Sequence, residues 1–357
     1  MNTFGQKIKV TIFGQSHADA IGVVVDGLEA GFEIDVQKVQ DFLDRRAPGK
    51  NMFSTQRKEQ DRVKFLSGIY NGKTCGAPVC AIIENTDTRS KDYSELEAKM
   101  RPSHADYPAS VKFGRNFDVR GGGQFSGRLT APLCIAGAVI MQMLEKKDIF
   151  IGSHIQSIGG IEDERFDNMC LDKQYVKAAI KKEFPVLDDE KGNLMKRLIL
   201  DAKEEKDSVG GSIECMITGL GAGVGEPMFD GLENLIAHSV FAVPAVKGIE
   251  FGKGFEVSKL KGSENNDEYT FDEKGNVRTR TNNAGGICGG MSTSMPVNFT
   301  VCIKPTPSIG KRQNTVNIKT GKDDVLEICG RHDPCIVQRA LPCIEAAAAI
   351  AIAQLLL

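Results

Sequence analysis

Ala346-Ala-Ala-Ala-Ile350-Ala-Ile-Ala-Gln-Leu-Leu-Leu357 is the most apolar stretch of the chain and lies just after Pro342. Its 12 residues are too few to cross roughly 30 Å of hydrocarbon, so the stretch reads as a C-terminal core or interface helix. Working outward from it, helical patterning is clearest at 335–357, 228–241, 173–183, 128–146 and 36–45. Between these lie short β-branched runs at 8–13, 63–67, 79–83, 212–217, 246–251 and 297–303. Strands and helices do not alternate strictly and Gly-rich turns interrupt them, which predicts an α+β fold rather than a doubly wound sheet.

With 41% hydrophobic residues among 357, the chain can bury a sizeable core. No Pro/Ser-rich linker or low-complexity tract divides it, and the polar stretch 260–283 reads as an exposed hairpin or excursion. One domain over 1–357 is therefore expected. The 45 basic and 47 acidic side chains nearly cancel, so no global field draws the protein to nucleic acid or an anionic membrane. An anionic ligand must be held by local charge. The ten cysteines form no C-x-x-C pair, and Cys80, Cys134 and Cys302 sit in apolar runs, so reduced, buried thiols are expected. The start, Met1-Asn-Thr-Phe-Gly-Gln-Lys7, shows no apolar segment behind a basic one, which predicts a cytoplasmic protein.

Three of the five histidines sit in small-residue loops beside an aspartate: Gly14-Gln-Ser-His17-Ala-Asp19, Arg101-Pro-Ser-His104-Ala-Asp106 and Gly330-Arg-His332-Asp333-Pro. Each imidazole could simply tie down its own loop, but three such loops together point to a shared acid/base site. His154 and His238 lie in strand-like and helical segments and read as structural. The spacings match no established zinc pattern, and no G-x-S-x-G elbow is present. Arg45, Arg46, Arg57, Arg62, Arg89, Arg101, Arg115, Arg120, Arg128 and Arg331 fall in or beside polar, Gly-containing loops. Singly these are ordinary surface charges; at the histidine loops, guanidinium forks suit a small polyanion. Arg120-Gly-Gly-Gly-Gln-Phe-Ser126-Gly-Arg128 runs into a helical segment, and exposed backbone N–H groups before a helix form an anion cradle. Standard nucleotide motifs are absent from the sequence.

Together these segments resemble the chorismate synthase family from about residue 4 onward. The motifs, in the family's order, are Phe13-Gly-Gln-Ser-His-Ala18, Asp44-Arg-Arg-Ala-Pro-Gly49, Ser54-Thr-Gln-Arg57, Asn85-Thr-Asp-Thr-Arg-Ser-Lys-Asp-Tyr93, Arg101-Pro-Ser-His-Ala-Asp106, Gly225-Glu-Pro-Met-Phe-Asp230, Ala245-Val-Lys-Gly248 and Gly330-Arg-His-Asp-Pro334. The resemblance implies a single large β-α-β sandwich with antiparallel sheets flanked by helices, assembled as a homotetramer. It implies an anti 1,4-elimination of phosphate from 5-enolpyruvylshikimate 3-phosphate, giving chorismate, with reduced FMN needed although nothing is oxidised overall. By resemblance, His17 protonates the departing phosphate, His104 serves the N1/O2 edge of the reduced flavin, and Asp333 works with flavin N5 on the C6 proton. Arg45, Arg46, Ser126 and Arg128 are implied substrate ligands; Gln124, Phe125, Ser126, Pro244, Ala245, Gly289, Lys304, Pro305, Thr306, Pro307, Ser308 and Arg331 align with FMN-binding positions.

The family often carries further basic residues where Ala47, Met52 and Gln124 stand, so the anion clamp here would draw on Lys50, Lys58 or Arg62. No added NAD(P)H-binding module is visible, which favours an external flavin reductase over a bifunctional enzyme. A non-catalytic flavin- or phosphate-binding module is the reading from a different class.

Overall fold

A helix that is apolar on every side has to be buried, and there are two of them among the described residues. The computed structural model describes residues 1–49, 61–85, 95–328 and 333–357. Its helices are α1 (Val36–Arg46), α2 (Asp106–Phe113), α3 (Thr130–Lys146), α4 (Lys173–Ile180), α5 (Asp189–Glu204), α6 (Leu232–Val240), α7 (Gly262–Asn265) and α8 (Val337–Leu356). Buried positions run round all sides of α3 and α8, and these two form the middle of the molecule.

α8 falls within the helical pattern expected at 335–357, and Pro342 lies inside this 20-residue helix. By length and composition α3 with its preceding turn, and α8, could each cross a membrane, yet 83% of each apolar window is buried inside the protein. The core-helix reading of the Ala346–Leu357 stretch therefore holds, as the C-terminal half of α8. The two helices approach closely because one contact is made by glycine: a β-carbon on Gly137 would lie 2.3 Å from Cβ of Ala346.

On one side of this helical layer lies an antiparallel sheet in the order Thr3–Phe4, Lys9–Gly14, Ala20–Asp26, Val79–Glu84, Lys64–Ser67. On the other lies a second antiparallel sheet in the order Val246–Phe251, Val297–Ile303, Gly211–Thr218, Phe150–Ile158, Ile161–Glu162. α3 packs on the first sheet and α8 on the second, while α4 covers the far side of the second sheet around Phe150, Phe166, Val176 and Met216, and α5 meets that sheet at its last two strands with Met195 and Ile199 in the main core. The result is the α+β, β-α-β sandwich, with one sheet flanked by helices on both faces. The 260–283 excursion contains α7 and the hairpin Tyr269–Phe271/Val277–Thr279.

Two cysteine readings change. Cys134 is buried, but Cys80 is half-buried and Cys302 is exposed, because Cys302 falls on the outward register of a strand whose neighbours Val301 and Ile303 are buried. No described cysteine is in a disulfide.

The core also holds charge. Glu345 of α8, fully buried, accepts both terminal nitrogens of Arg45 (2.6 and 2.7 Å) and the backbone N–H and hydroxyl of Ser153 (3.1 and 2.7 Å). His154 is buried between Asp163 (Nδ1 to Oδ2, 3.2 Å) and Glu214 (Nε2 to Oε2, 2.9 Å), and His238 packs its ring edge-on against Phe4. Both histidines thus serve structure.

Candidate active site

The first sheet delivers one loop of the site. Strands Lys9–Gly14 and Ala20–Asp26 are joined by the turn that carries Ser16 and His17, both buried. Asn85, at the end of the adjoining strand, holds this turn: its N–H donates to Asp19 O (2.9 Å) and its side-chain amide to Ala18 O (2.8 Å). The triglycine loop then closes over it, with Ser16 N–H donating to Gly123 O at 3.1 Å.

Gly121, Gly122 and Gly123 all have positive φ (60°, 83° and 54°), a conformation glycine adopts without strain. Space demands glycine too. A β-carbon on Gly121 would stand 2.5 Å from Cε1 of His17, and one on Gly122 3.3 Å from Nε2 of His104. The two histidines singled out in the sequence therefore face consecutive residues of one loop. Sequence suggested that this loop enters the long helix directly. Instead a 3-10 turn, Gly127–Leu129, intervenes, with Ser126 accepting from Arg128 N–H (3.3 Å), before α3 begins.

The second sheet supplies the other wall. Ala245 and Lys304 flank its strands and are joined by Lys304 N–H to Ala245 O (2.9 Å), and the Lys304 ammonium donates to Ser103 O (3.0 Å) in the His104 loop. Ala245 itself has φ 74°, a strained position for a residue with a β-carbon. Burial, and then the neighbouring Lys247, push the Lys304 ammonium below its ordinary pKa. Two cations so placed are relieved by an anion. Arg101 reaches across to Ser308 Oγ at 3.3 Å and grips Asp106 through Nε (2.7 Å) and Nη2 (2.8 Å). Asp106 in turn lies 2.6 Å from His104 Nδ1. Burial disfavours its charge, but hydrogen bonds from Arg101 and His104 outweigh that and hold its carboxyl well below the usual range.

The arginines divide. Arg46 donates to Asp61 Oδ2 (2.8 Å), Thr130 Oγ1 (3.0 Å) and Gly127 O (3.0 Å). Arg128 pairs with the other oxygen of Asp61 and donates to Asn85 Oδ1 at 3.0 Å. Burial works against an ionised Asp61, yet the charges of Arg46 and then Arg128 keep its carboxyl low. Arg45 stands apart. Both its terminal nitrogens are taken by Glu345, and it lines a cavity of about 250 Å³ with Lys181 and Pro342, whose described lining includes neither His17 nor His104. Arg45 and Arg46, expected as neighbours in a substrate clamp, thus pair with different buried carboxylates, Glu345 and Asp61.

Asp333 pairs with Arg339, whose Nε donates to Arg46 O at 3.0 Å. Hydrogen bonds and ion pairs thus run from the His17 turn through Asn85, Arg128, Asp61, Arg46 and Arg339 to Asp333. Asp61, Thr130 and Arg339 were not singled out from sequence, and Asn85 only as the start of a family motif with no role given; a carboxylate shared by two buried arginines carries no spacing signal.

Of the other expected positions, Gln124, Phe125, Pro244 and Pro305 are exposed, and Thr306 and Pro307 are half-buried beside Ser308. Gly289 is exposed in a turn of a separate small sheet formed by Ala222–Gly225, Met291–Thr293 and Ile287–Cys288. Arg331, together with His332, Arg57, Arg89, Lys50 and Lys58, lies outside the described residues. Among the described residues no cluster of metal-ligating side chains occurs.

A chorismate synthase family profile matches residues 8–357. The chorismate synthase of Lancefieldella parvula is 45% identical over 98% of this chain and 95% of its own length. That of Methanocaldococcus jannaschii is 42% identical over 100% and 96%. A crystal structure of a chorismate synthase superposes with a TM-score of 0.77 over 99% of this chain and 92% of that one, at 24% identity, which establishes the shared fold. A full-length profile match, relatives above two-fifths identity and two histidine loops meeting on one glycine loop lead to one conclusion: the chain belongs to the chorismate synthase family of carbon–oxygen lyases.

Proposed function

We propose that the chain catalyses the anti 1,4-elimination of phosphate from 5-enolpyruvylshikimate 3-phosphate to give chorismate, with reduced FMN as cofactor and no net oxidation. The observation that carries this reading is the triglycine loop pressed between His17 and His104. Such a loop leaves a cradle that any β-carbon would fill, bounded by the Lys304–Ser308 segment and by Ala245. A flat ring system with an anionic tail suits these groups: backbone and small side chains for the ring, Lys304 and Ser308 for the phosphate, Gln124–Ser126 at the rim. The chemistry that reduced flavin supplies when bound is transient electron density that weakens the allylic C–O bond.

The protein's own groups then have distinct tasks. His17 gives a proton to the departing phosphate, which an imidazolium can do near neutral pH where an ordinary carboxylic acid is already ionised. His104 holds a proton at the N1/O2 edge of the flavin. Asp333 takes the C6 proton. Arg46, Arg128 and Ser126 bind the substrate's anionic groups; with Asp61 shared between the two arginines, that cluster keeps one net positive charge to offer. We further infer a cytoplasmic homotetramer of one-domain subunits, supplied with reduced flavin by an external reductase.

The test against a non-catalytic flavin module uses His17→Ala. The enzyme reading expects a folded protein that binds flavin but releases phosphate at least about 100-fold more slowly, the scale of one general acid. Unchanged turnover would remove His17 from the mechanism.

A further inference from the structure

His104 Nδ1 has two neighbours, and it cannot serve both in the same way. Asp106 Oδ1 lies at 2.6 Å and Arg101 Nη2 at 3.0 Å. To bind the carboxylate, Nδ1 must carry a proton; to accept from the guanidinium, it must not. An unprotonated nitrogen 2.6 Å from a carboxylate oxygen would set two lone pairs against each other. Arg101, moreover, is held mainly by Asp106. Its Nε and one hydrogen of Nη2 already go to the two oxygens of Asp106, and Nη1 donates to Ser308, so the guanidinium is anchored without the ring.

We propose that Asp106, clamped by Arg101, is the positioning residue that keeps the His104 proton on Nδ1 and so presents a basic Nε2 to the glycine loop. The site-facing geometry agrees, since Nε2 and Cε1 are the ring atoms nearest a β-carbon on Gly122, at 3.3 and 3.2 Å. Sequence adjacency makes the arrangement cheap to build. The Arg101-Pro-Ser-His-Ala-Asp106 turn returns on itself, with His104 N–H donating to Arg101 O (3.2 Å) and Arg101 N–H to Asp106 Oδ2 (3.1 Å), so that all three side chains meet within six residues. Ser103 at φ 58° marks the tightness of that return. A carboxylate behind an imidazole does two things: it selects the tautomer and it stabilises the imidazolium once Nε2 has taken a proton. Asp106 is buried, and its side-chain partners are Arg101 and His104, so its effect passes through His104. The inference rests on the reading of His104 as the proton-holding group at the flavin edge.

The experiment is heteronuclear NMR of imidazole-¹⁵N-labelled full-length protein, with His104 assigned by its loss in His104→Ala, combined with steady-state kinetics. In the wild type, neutral His104 is expected to carry its proton on Nδ1. In Asp106→Asn the proton is expected to move to Nε2, and kcat to fall about 100-fold, the scale of a lost acid/base group, with KM for the substrate little changed. A wild-type ring protonated on Nε2 overturns the proposal, and this result is available even if Asp106→Asn does not fold. So does an Asp106→Asn protein that keeps both the Nδ1 proton and kcat. Wild-type turnover by His104→Ala would strike instead at the role of His104, and is told apart because the Nδ1 assignment would stand.

Discussion

Gly121 lies so close to His17 that a β-carbon at position 121 would stand 2.5 Å from both the imidazole Cε1 and the Ser16 hydroxyl. The loop backbone is thus the wall against which His17 is oriented. Gly121→Ala adds a clash and a non-glycine residue at φ 60°, where strain costs about 1–3 kcal/mol. The expected outcome is a folded protein with kcat/KM reduced at least about 100-fold, because misplacing a reacting group by about 1 Å is that costly. Thermal melting checks the fold, and phosphate release reads the activity.

Asp61 neutralises part of two buried arginines, its side chain fully buried between Arg46 and Arg128. Removing one member of such a cluster leaves uncompensated charge, so Asp61→Asn should cost about 3–5 kcal/mol, measured by urea unfolding at pH 7. The pH dependence has a fixed sign. A carboxyl held below its ordinary pKa of about 3.9 contributes stability that is complete above that value and is lost as pH falls towards the folded pKa. The wild type should therefore lose more of its unfolding free energy between pH 5 and pH 3 than Asp61→Asn does.

His154 behaves in the opposite sense. Burial disfavours its charge, but Asp163 and Glu214 outweigh burial and raise its pKa. Its contribution is then fully present below the ordinary histidine value of about 6.5 and declines as pH rises through the raised folded value. His154→Gln should destabilise by more at pH 6 than at pH 9, as compared by denaturant midpoints. Equal losses at the two pH values would show that His154 acts by packing alone.

The crossing of α3 and α8 tests the core. Gly137→Ala would place its new methyl 2.3 Å from Cβ and 2.5 Å from Cα of Ala346, with backbone rather than a flexible side chain in the way. Overpacking of this kind costs about 1–3 kcal/mol, visible as a lower urea midpoint with an unchanged m-value. Ordinary helix propensity argues the other way, since alanine is the better helix former by about 1 kcal/mol, so the sign of the change decides which effect governs.

Much of the fold was legible in the sequence where one face of an element is uniformly apolar. The runs at 79–83, 246–251 and 297–303 became strands Val79–Glu84, Val246–Phe251 and Val297–Ile303. The helix expected at 228–241 forms only at Leu232–Val240, behind a 3-10 turn. Strands that hid are those with buried polar residues. Phe150–Ile158 carries Gly152, Ser153 and His154 on its buried faces, and its apolar pattern is broken because Glu345, Asp163 and Glu214 satisfy those groups from elsewhere in the chain. Ala20–Asp26 hid behind Gly22, which is needed because the Phe13 ring occupies the space of its β-carbon. α5 was masked by its polar first turn, although Asp188 caps it through the N–H groups of Glu190 and Lys191.

In the site, the histidine and glycine loops were visible because special backbone conformations demand small residues. The partners of the arginines were not. Nothing in Asp44-Arg45-Arg46 tells that adjacent guanidiniums diverge, one to Glu345 and one to Asp61; that follows only once α1 is laid against α3 and α8.

The central claim is tested most directly by anaerobic incubation of the full chain with dithionite-reduced FMN and 5-enolpyruvylshikimate 3-phosphate, following phosphate release and chorismate absorbance together. The expected result is stoichiometric phosphate and chorismate with reduced flavin and neither product with oxidised flavin. A folded, flavin-binding protein that releases no phosphate under reduced conditions would contradict it.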